Sequence, residues 1–252
     1  MNVSSPYYTF LHSREELKDE STFFDATQFP WTSDIENNWK MIRDEICTYL
    51  ENEGNALKPY YADEMMNAPK KWKAFSFYFW GTTQSKKAIS NCPRTISLLR
   101  KIPGLSSASV SVMEPQSEIK PHYGDTNAIY RCHLPLVVPA TLPACGIRVA
   151  YEDRSWETGR LLIFNDAAYH KAWNHTNQRR IVLIFDVIRP EFSSQKEWIC
   201  SRVYGYLFFQ MMNKALRLFR NEKNPLAKSI CFMNSLVFRA RFYFLKRKSP
   251  WL

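Results

Sequence analysis

Five histidines occur in the chain, at positions 12, 122, 133, 170 and 175, and two of them stand where they could hold a metal. His122 follows Pro121 at what reads as a strand entry, and His170 opens another strand-like run. Arg180 lies ten residues after His170, on the next strand-like run. Two imidazoles on neighbouring strands bind Fe(II) on one face and leave positions for a 2-oxo acid and O2. An arginine deeper in a barrel grips the far carboxylate of 2-oxoglutarate through paired, charge-assisted hydrogen bonds. The usual site of this type adds a carboxylate two residues after the first histidine. Gly124 stands there instead, and Asp125, one residue further along an extended strand, would face the other way.

These residues must be positioned by elements that the hydrophobic pattern makes visible. From Ser107 onward, short β-like runs alternate with Pro, Gly, Asn or Asp: 107–113, 129–138, 146–152, 160–164, 170–175 and 179–188. Their number and spacing predict a mainly β fold, a sandwich or double-stranded β-helix of the jelly-roll or cupin kind, rather than βαβ units. Upstream, Ile35, Trp39, Ile42, Ile46 and Leu50 recur at helical spacing and predict one amphipathic helix over 35–50. Residues 72–80 (WKAFSFYFW) read as a strand, and 91–99 as a short helix opening near Pro93. None of the seven glycines forms GxGxxG or a P-loop, so nucleotide-cradling chemistry has no support.

The motifs resemble one family, the aspartyl/asparaginyl β-hydroxylases. SVMEP (111–115), PHYGDTN (121–127), YRCHLPL (130–136), WETGRLLIFNDAAYHKAWN (156–174) and RRIVLIFDVIRPE (179–191) follow one another at the family's distances. The resemblance covers about residues 25–192, and the combination of PHxG, RxHLxL, WxxGxxxxFxD and HxxWN is specific where each piece alone is not. Members of this type replace the metal-binding carboxylate by glycine, as Gly124 does.

The resemblance implies His122 and His170 as iron ligands, and Arg180 with Ser111 as the anchor of the 2-oxoglutarate C5 carboxylate. It implies that His133 and Arg131 line the co-substrate pocket, and that Asp166 serves a turn or supports the metal ligands. It also implies an oxidative hydroxylation in which 2-oxoglutarate and O2 are consumed and succinate and CO2 released. The leading substrate is the β-carbon of an Asp or Asn residue in a peptide or protein. A membrane-lipid acyl chain is the alternative. FYFWG (77–81) and NCPRT (91–95) are similar to the lipid enzymes, and Ile129 stands where peptide hydroxylases often carry a second arginine. The lipid enzymes, for their part, generally keep the HxD acid. A non-catalytic barrel binding an acidic ligand is the reading from a different class. Read for their residue types alone, His133, Ser111, Asp166 and Arg131 also admit structural roles, and His12 and His175 read as surface residues.

Charge divides the chain. The 252 residues carry a formal net charge of +10, yet residues 1–194 hold 22 basic and 22 acidic side chains. Residues 195–252 hold twelve Lys and Arg against Glu197 and Glu222, interleaved with twelve aromatics. We therefore divide the chain into a charge-balanced oxygenase domain, 1–194, and a basic, aromatic-rich helical tail, 195–252. Pro225 splits that tail into helices over about 195–222 and 226–247. Basic side chains amid aromatics suit an anionic membrane surface, or they solvate an extension packed on the barrel. Nucleic acid is disfavoured for want of any recognition motif. The N-terminal residues contain no apolar core of a signal sequence, and the six cysteines are scattered without metal-like pairing. A cytoplasmic protein with free thiols, peripheral on the membrane at most and not secreted, is the expectation.

Overall fold

The structure, a computed structural model, describes residues 5–12, 20–60, 63–216, 219 and 224–246. In chain order the strands are β1 (Phe23–Phe24), β2 (Lys58–Pro59), β3 (Trp72–Phe79), β4 (Thr82–Thr83), β5 (Leu105–Met113) and β6 (Ser117–His122). They continue as β7 (Ile129–Val137), β8 (Cys145–Val149), β9 (Glu152–Arg154), β10 (Leu162–Phe164), β11 (His170–Asn174) and β12 (Arg180–Ile188). The helices are α1 (Thr32–Asn37), α2 (Trp39–Asn52), α3 (Lys86–Asn91), α4 (Pro93–Leu99), α5 (Lys196–Leu216) and α6 (Pro225–Lys246).

Two antiparallel sheets result. The larger runs β1-β10-β7-β12-β5-β3-β2, with β4 attached to β3, and the smaller runs β6-β11-β8-β9. The side-chain period of two sorts each long strand of the larger sheet into two faces. Ala108, Val110 and Val112 of β5, Cys132, Leu134 and Leu136 of β7, and Leu183, Phe185 and Val187 of β12 enter one core with Ile35, Ile42 and Ile46 of the helices. The intervening positions of the same strands face the smaller sheet. There Trp72, Met113 and Phe164 meet Ile119, Ile147, Val149 and Ala172 across the gap. Helices, large sheet and small sheet thus stack as three layers, and the interior of the double-stranded β-helix lies between the sheets.

Several elements depart from the expectation. The single helix over 35–50 is two, broken at Asn38, and a further helix, α3, precedes Pro93. The run 146–152 is a hairpin, turning at Ala150 with φ +52°. Ser117–His122 is a strand in its own right, so His122 closes a strand rather than opening one. Pro121 disguises it: a proline donates no ladder hydrogen bond, and β6 tolerates it because it is an edge strand.

Against the expected helices over about 195–222 and 226–247, α5 runs Lys196–Leu216 and α6 Pro225–Lys246, and the expected ends at 222 and 247 lie outside the described residues. Ile199, Cys200 and Val203 of α5 share a core with Tyr8, Trp80, Ile129, Ile188 and Phe192. α6 folds back on α5 so closely that a Cβ on Gly205 would lie 2.8 Å from the Ser235 backbone nitrogen. All six cysteines are free thiols, five of them buried.

Candidate active site

His122 and His170 are register partners in the β6–β11 ladder, and their ring centroids stand 4.2 Å apart. Each Nδ1 lies against a backbone carbonyl two residues earlier, 2.9 Å from Lys120 O for His122 and 2.7 Å from Ala168 O for His170. A carbonyl only accepts, so both Nδ1 atoms carry the proton and both Nε2 atoms carry a lone pair. This is how a metal-binding histidine is oriented by a partner behind it. Burial lowers His122 to about 3 and His170 to about 4, which keeps both rings neutral.

Arg180, the first residue of β12, is 1% exposed. Its Nη1 reaches Ser111 Oγ only at 3.5 Å, its guanidinium lies 4.5 Å from the Trp156 ring centroid, and its Nε has no partner. No carboxylate pairs with it among the described residues, and burial pulls it down to about 10. A buried cation is costly unless paired, so an anion brought from outside would relieve this one. Ser111 Oγ also accepts from Trp72 Nε1 at 3.0 Å. His133 is buried beside Phe164, and its Nδ1 accepts from Trp156 Nε1 at 3.2 Å.

Arg131 is committed inside the protein. Its Nε and Nη2 donate to the two Asp186 carboxylate oxygens at 2.8 and 3.0 Å, and its Nη1 donates to Asp166. Burial opposes the Arg131 charge, and the Asp166 and Asp186 carboxylates more than offset it.

Asp166 is fully buried, with Oδ1 3.8 Å from His170 Nε2 and Oδ2 accepting from the Asp125 backbone N–H at 3.3 Å. A Cβ on Gly124 would sit 1.8 Å from Asp166 Oδ2. The carboxylate that position 124 lacks is therefore replaced in space by one entering from the turn before β11. Burial, with Asp166 nearby, raises Asp125 to about 7, and the Asp125 backbone N–H donates to the Asp166 carboxylate.

A cavity of about 700 Å³ opens onto these groups. His122, Gly124, Asp125, Arg131 and Ser111 line it, whereas His170, His133 and Arg180 do not. Ser76, Ser107 and Ser109 keep its floor open because their side chains are small, and Tyr206, Leu207, Gln210 and Met211 of α5 form the opposite wall. At the rim, Lys214 Nζ meets Glu64 Oε2 at 2.8 Å. Sequence reasoning missed Asp186, Trp156 and the α5 wall. The lone Asp in the apolar run RIVLIFDVI was the available signal for Asp186. Of the remaining histidines, His12 is half-buried and accepts from the Tyr8 backbone N–H at 2.8 Å, and His175 is exposed.

The donor set fits a divalent iron and a dicarboxylate. Two neutral imidazoles present free Nε2 atoms, and an unpaired guanidinium lies within the same barrel. No group of three or more His, Cys, Asp or Glu side chains converges as a ligand set among the described residues. Water and co-substrate oxygens would complete the shell.

Neutral, buried histidines make the fold sensitive to acid. Burial, reinforced by the Arg180 charge, also holds His133 well below its ordinary value. An unfolded histidine titrates near 6.5, so the unfolded chain binds more protons than the native one between about pH 4 and 6.5. Stability therefore rises with pH across that window, by up to about 1.4 kcal/mol per pH unit for each such histidine. Urea midpoints measured from pH 4.5 to 7 should show the slope, and His133→Gln should flatten it. Parallel profiles for parent and variant would refute the assignment.

Known proteins are similar to the chain over the barrel region. The family model described as Aspartyl/Asparaginyl beta-hydroxylase matches residues 36–190. An ornithine lipid ester-linked acyl 2-hydroxylase of Rhizobium tropici is 35% identical over 172 residues, 66% of this chain and 60% of that protein. The human aspartyl/asparaginyl beta-hydroxylase is 34% identical over 167 residues, 64% of this chain and 21% of that protein. The aligned part thus spans less than two thirds of either relative.

Proposed function

The chain belongs to the aspartyl/asparaginyl β-hydroxylase family, and from that premise we propose that it is an Fe(II)- and 2-oxoglutarate-dependent dioxygenase that hydroxylates an unactivated carbon. The observation that carries this is Arg180, a buried guanidinium without a carboxylate, in the same barrel as two oriented, neutral imidazoles. His122 and His170 would hold the iron through Nε2. Arg180, with the Ser111 hydroxyl, would take the C5 carboxylate of 2-oxoglutarate and so fix which end of it faces the histidines. His133 and Arg131 would flank the co-substrate. Asp166 holds Arg131 and stands beside His170, orienting both. Iron held there would supply the activation of O2, with 2-oxoglutarate as the reductant, giving succinate, CO2 and the hydroxylated product.

The side chain of a peptidyl Asp or Asn is the first substrate reading, supported by the family description and the human relative. A membrane-lipid acyl chain is the second, and one observation favours it. Both edges of Arg131 are taken by Asp186 and Asp166, Ile129 is buried in an apolar core, and Lys214 is paired with Glu64. Among the described residues, the cavity lining thus offers no unengaged cation for an acidic side chain.

Succinate release from 2-oxoglutarate in the presence of Fe(II) tests the reaction. It should fall to background in His122→Ala and His170→Ala, and equal release by parent and variants would refute the proposal. A mass gain of about 16, one oxygen atom, on either a protein digest or a lipid extract identifies the substrate class.

A further inference from the structure

Among the described residues eleven large apolar side chains are exposed, and nine of them lie on α5 and α6. Leu226, Met233 and Val237 recur at helical spacing along one side of α6, with Phe232 and Leu236 beside them. The other side of α6, with Ala227, Cys231, Ser235 and Phe238 buried, is the one that packs on α5. Phe232 also meets Trp198 and Arg202 of α5, so the apolar side left open within the described fold is that of Leu226, Met233, Leu236 and Val237. Exposed Lys228, Arg239 and Arg241 stand along the same helix, in a segment with twelve basic and two acidic residues.

A patch of this kind on an amphipathic helix with basic flanks suits the headgroup boundary of an anionic bilayer. No helix among the described residues is long and apolar enough to cross a membrane. Met211 links the patch to the chemistry: it is 60% exposed and also lines the cavity that reaches His122.

We propose that the α5–α6 hairpin docks the protein on an anionic membrane surface, with α5 serving as the shared wall between that surface and the catalytic cavity. The apolar side chains of α6 enter the acyl boundary, the basic side chains meet the headgroups, and the cavity mouth at Met211 and Lys214 faces the lipid. Docking itself does not depend on the hydroxylase reading. The delivery of an acyl chain into the cavity does rest on it.

Flotation of the full chain with vesicles of equimolar phosphatidylglycerol and phosphatidylcholine tests the docking. The chain should float with these vesicles and at least about tenfold less with phosphatidylcholine alone, since each basic residue near an anionic surface contributes roughly fivefold. Met233→Glu with Val237→Glu, both solvent-facing, should weaken flotation by about tenfold or more while leaving the melting temperature and vesicle-free succinate release unchanged. His122→Ala should float like the parent, so a failed hydroxylase assay leaves the docking result standing. Absence of flotation, or equal flotation of parent and double variant, would overturn the proposal. So would a parent dimer in sedimentation velocity that the double variant dissociates, because a second copy would then cover the face.

Discussion

Arg180→Met should melt at a higher temperature than the parent when no ligand is present, and should release no succinate above background. The two effects have one cause. The guanidinium is buried with a single long contact to Ser111, the face of Trp156 and an unpartnered Nε. Desolvating an ion costs several kcal/mol even after relaxation, and a weak hydroxyl contact returns little of it. Methionine has similar reach, adapts its shape and keeps an apolar contact with Trp156. Replacing poorly compensated buried charge by well-packed apolar atoms commonly gains about 1–4 kcal/mol. In a chain of this size each kcal/mol moves the melting temperature by about 2–4 °C.

The ligand response should invert the order. Saturating N-oxalylglycine, an unreactive dicarboxylate of the same shape, should stabilise the parent by about 2.7 kcal/mol at a hundred times its dissociation constant, and leave the variant unmoved. Differential scanning fluorimetry with and without that compound reads both effects. A variant that melts below the parent, or that still responds to the dicarboxylate, would show that Arg180 is a structural residue.

What the sequence made legible follows from what is local. His170 and Arg180 each open a strand, and the motif spacing put both on the barrel before any contact was known. The faces of β5, β7 and β12 came from the structure: helix-facing apolar positions alternate with the positions where Ser111, Arg131 and His133 stand. Closure across the fold is a different matter. Asp166 and Asp186 reach the same guanidinium from 35 and 55 residues away, and no periodicity reports that. The α5 wall was hidden for another reason: composition does not say which side chains of 195–252 turn inward, and Tyr206, Phe209 and Phe238 do. β6 was obscured by Pro121, and with it the fact that His122 faces His170 by ladder register.

Gly124→Ala should destabilise the protein by about 3–5 kcal/mol, far more than an ordinary surface glycine replacement. The reason is space and not backbone freedom. The new Cβ would stand 1.8 Å from Asp166 Oδ2 and 2.4 Å from Oδ1, distances at which something must move. Asp166 is the atom group in the way, and it is fully buried and paired with Arg131. Turning it aside breaks a buried ion pair and leaves a carboxylate without its cation, and removing one partner of such a pair costs about 3–5 kcal/mol. Moving β6 instead would disturb the ladder that sets His122 against His170.

The argument can be run as a cycle. Gly124→Asp alone places two carboxylates in one space and should be at least as damaging as alanine. Asp166→Gly alone leaves Arg131 with Asp186 only. The double variant returns one carboxylate to that region from the loop after β6, so the two changes should offset one another by at least about 2 kcal/mol. Urea denaturation of the four proteins yields the coupling directly. Simple additivity, or a Gly124→Ala cost below about 1 kcal/mol, would mean that the two positions do not compete for one site.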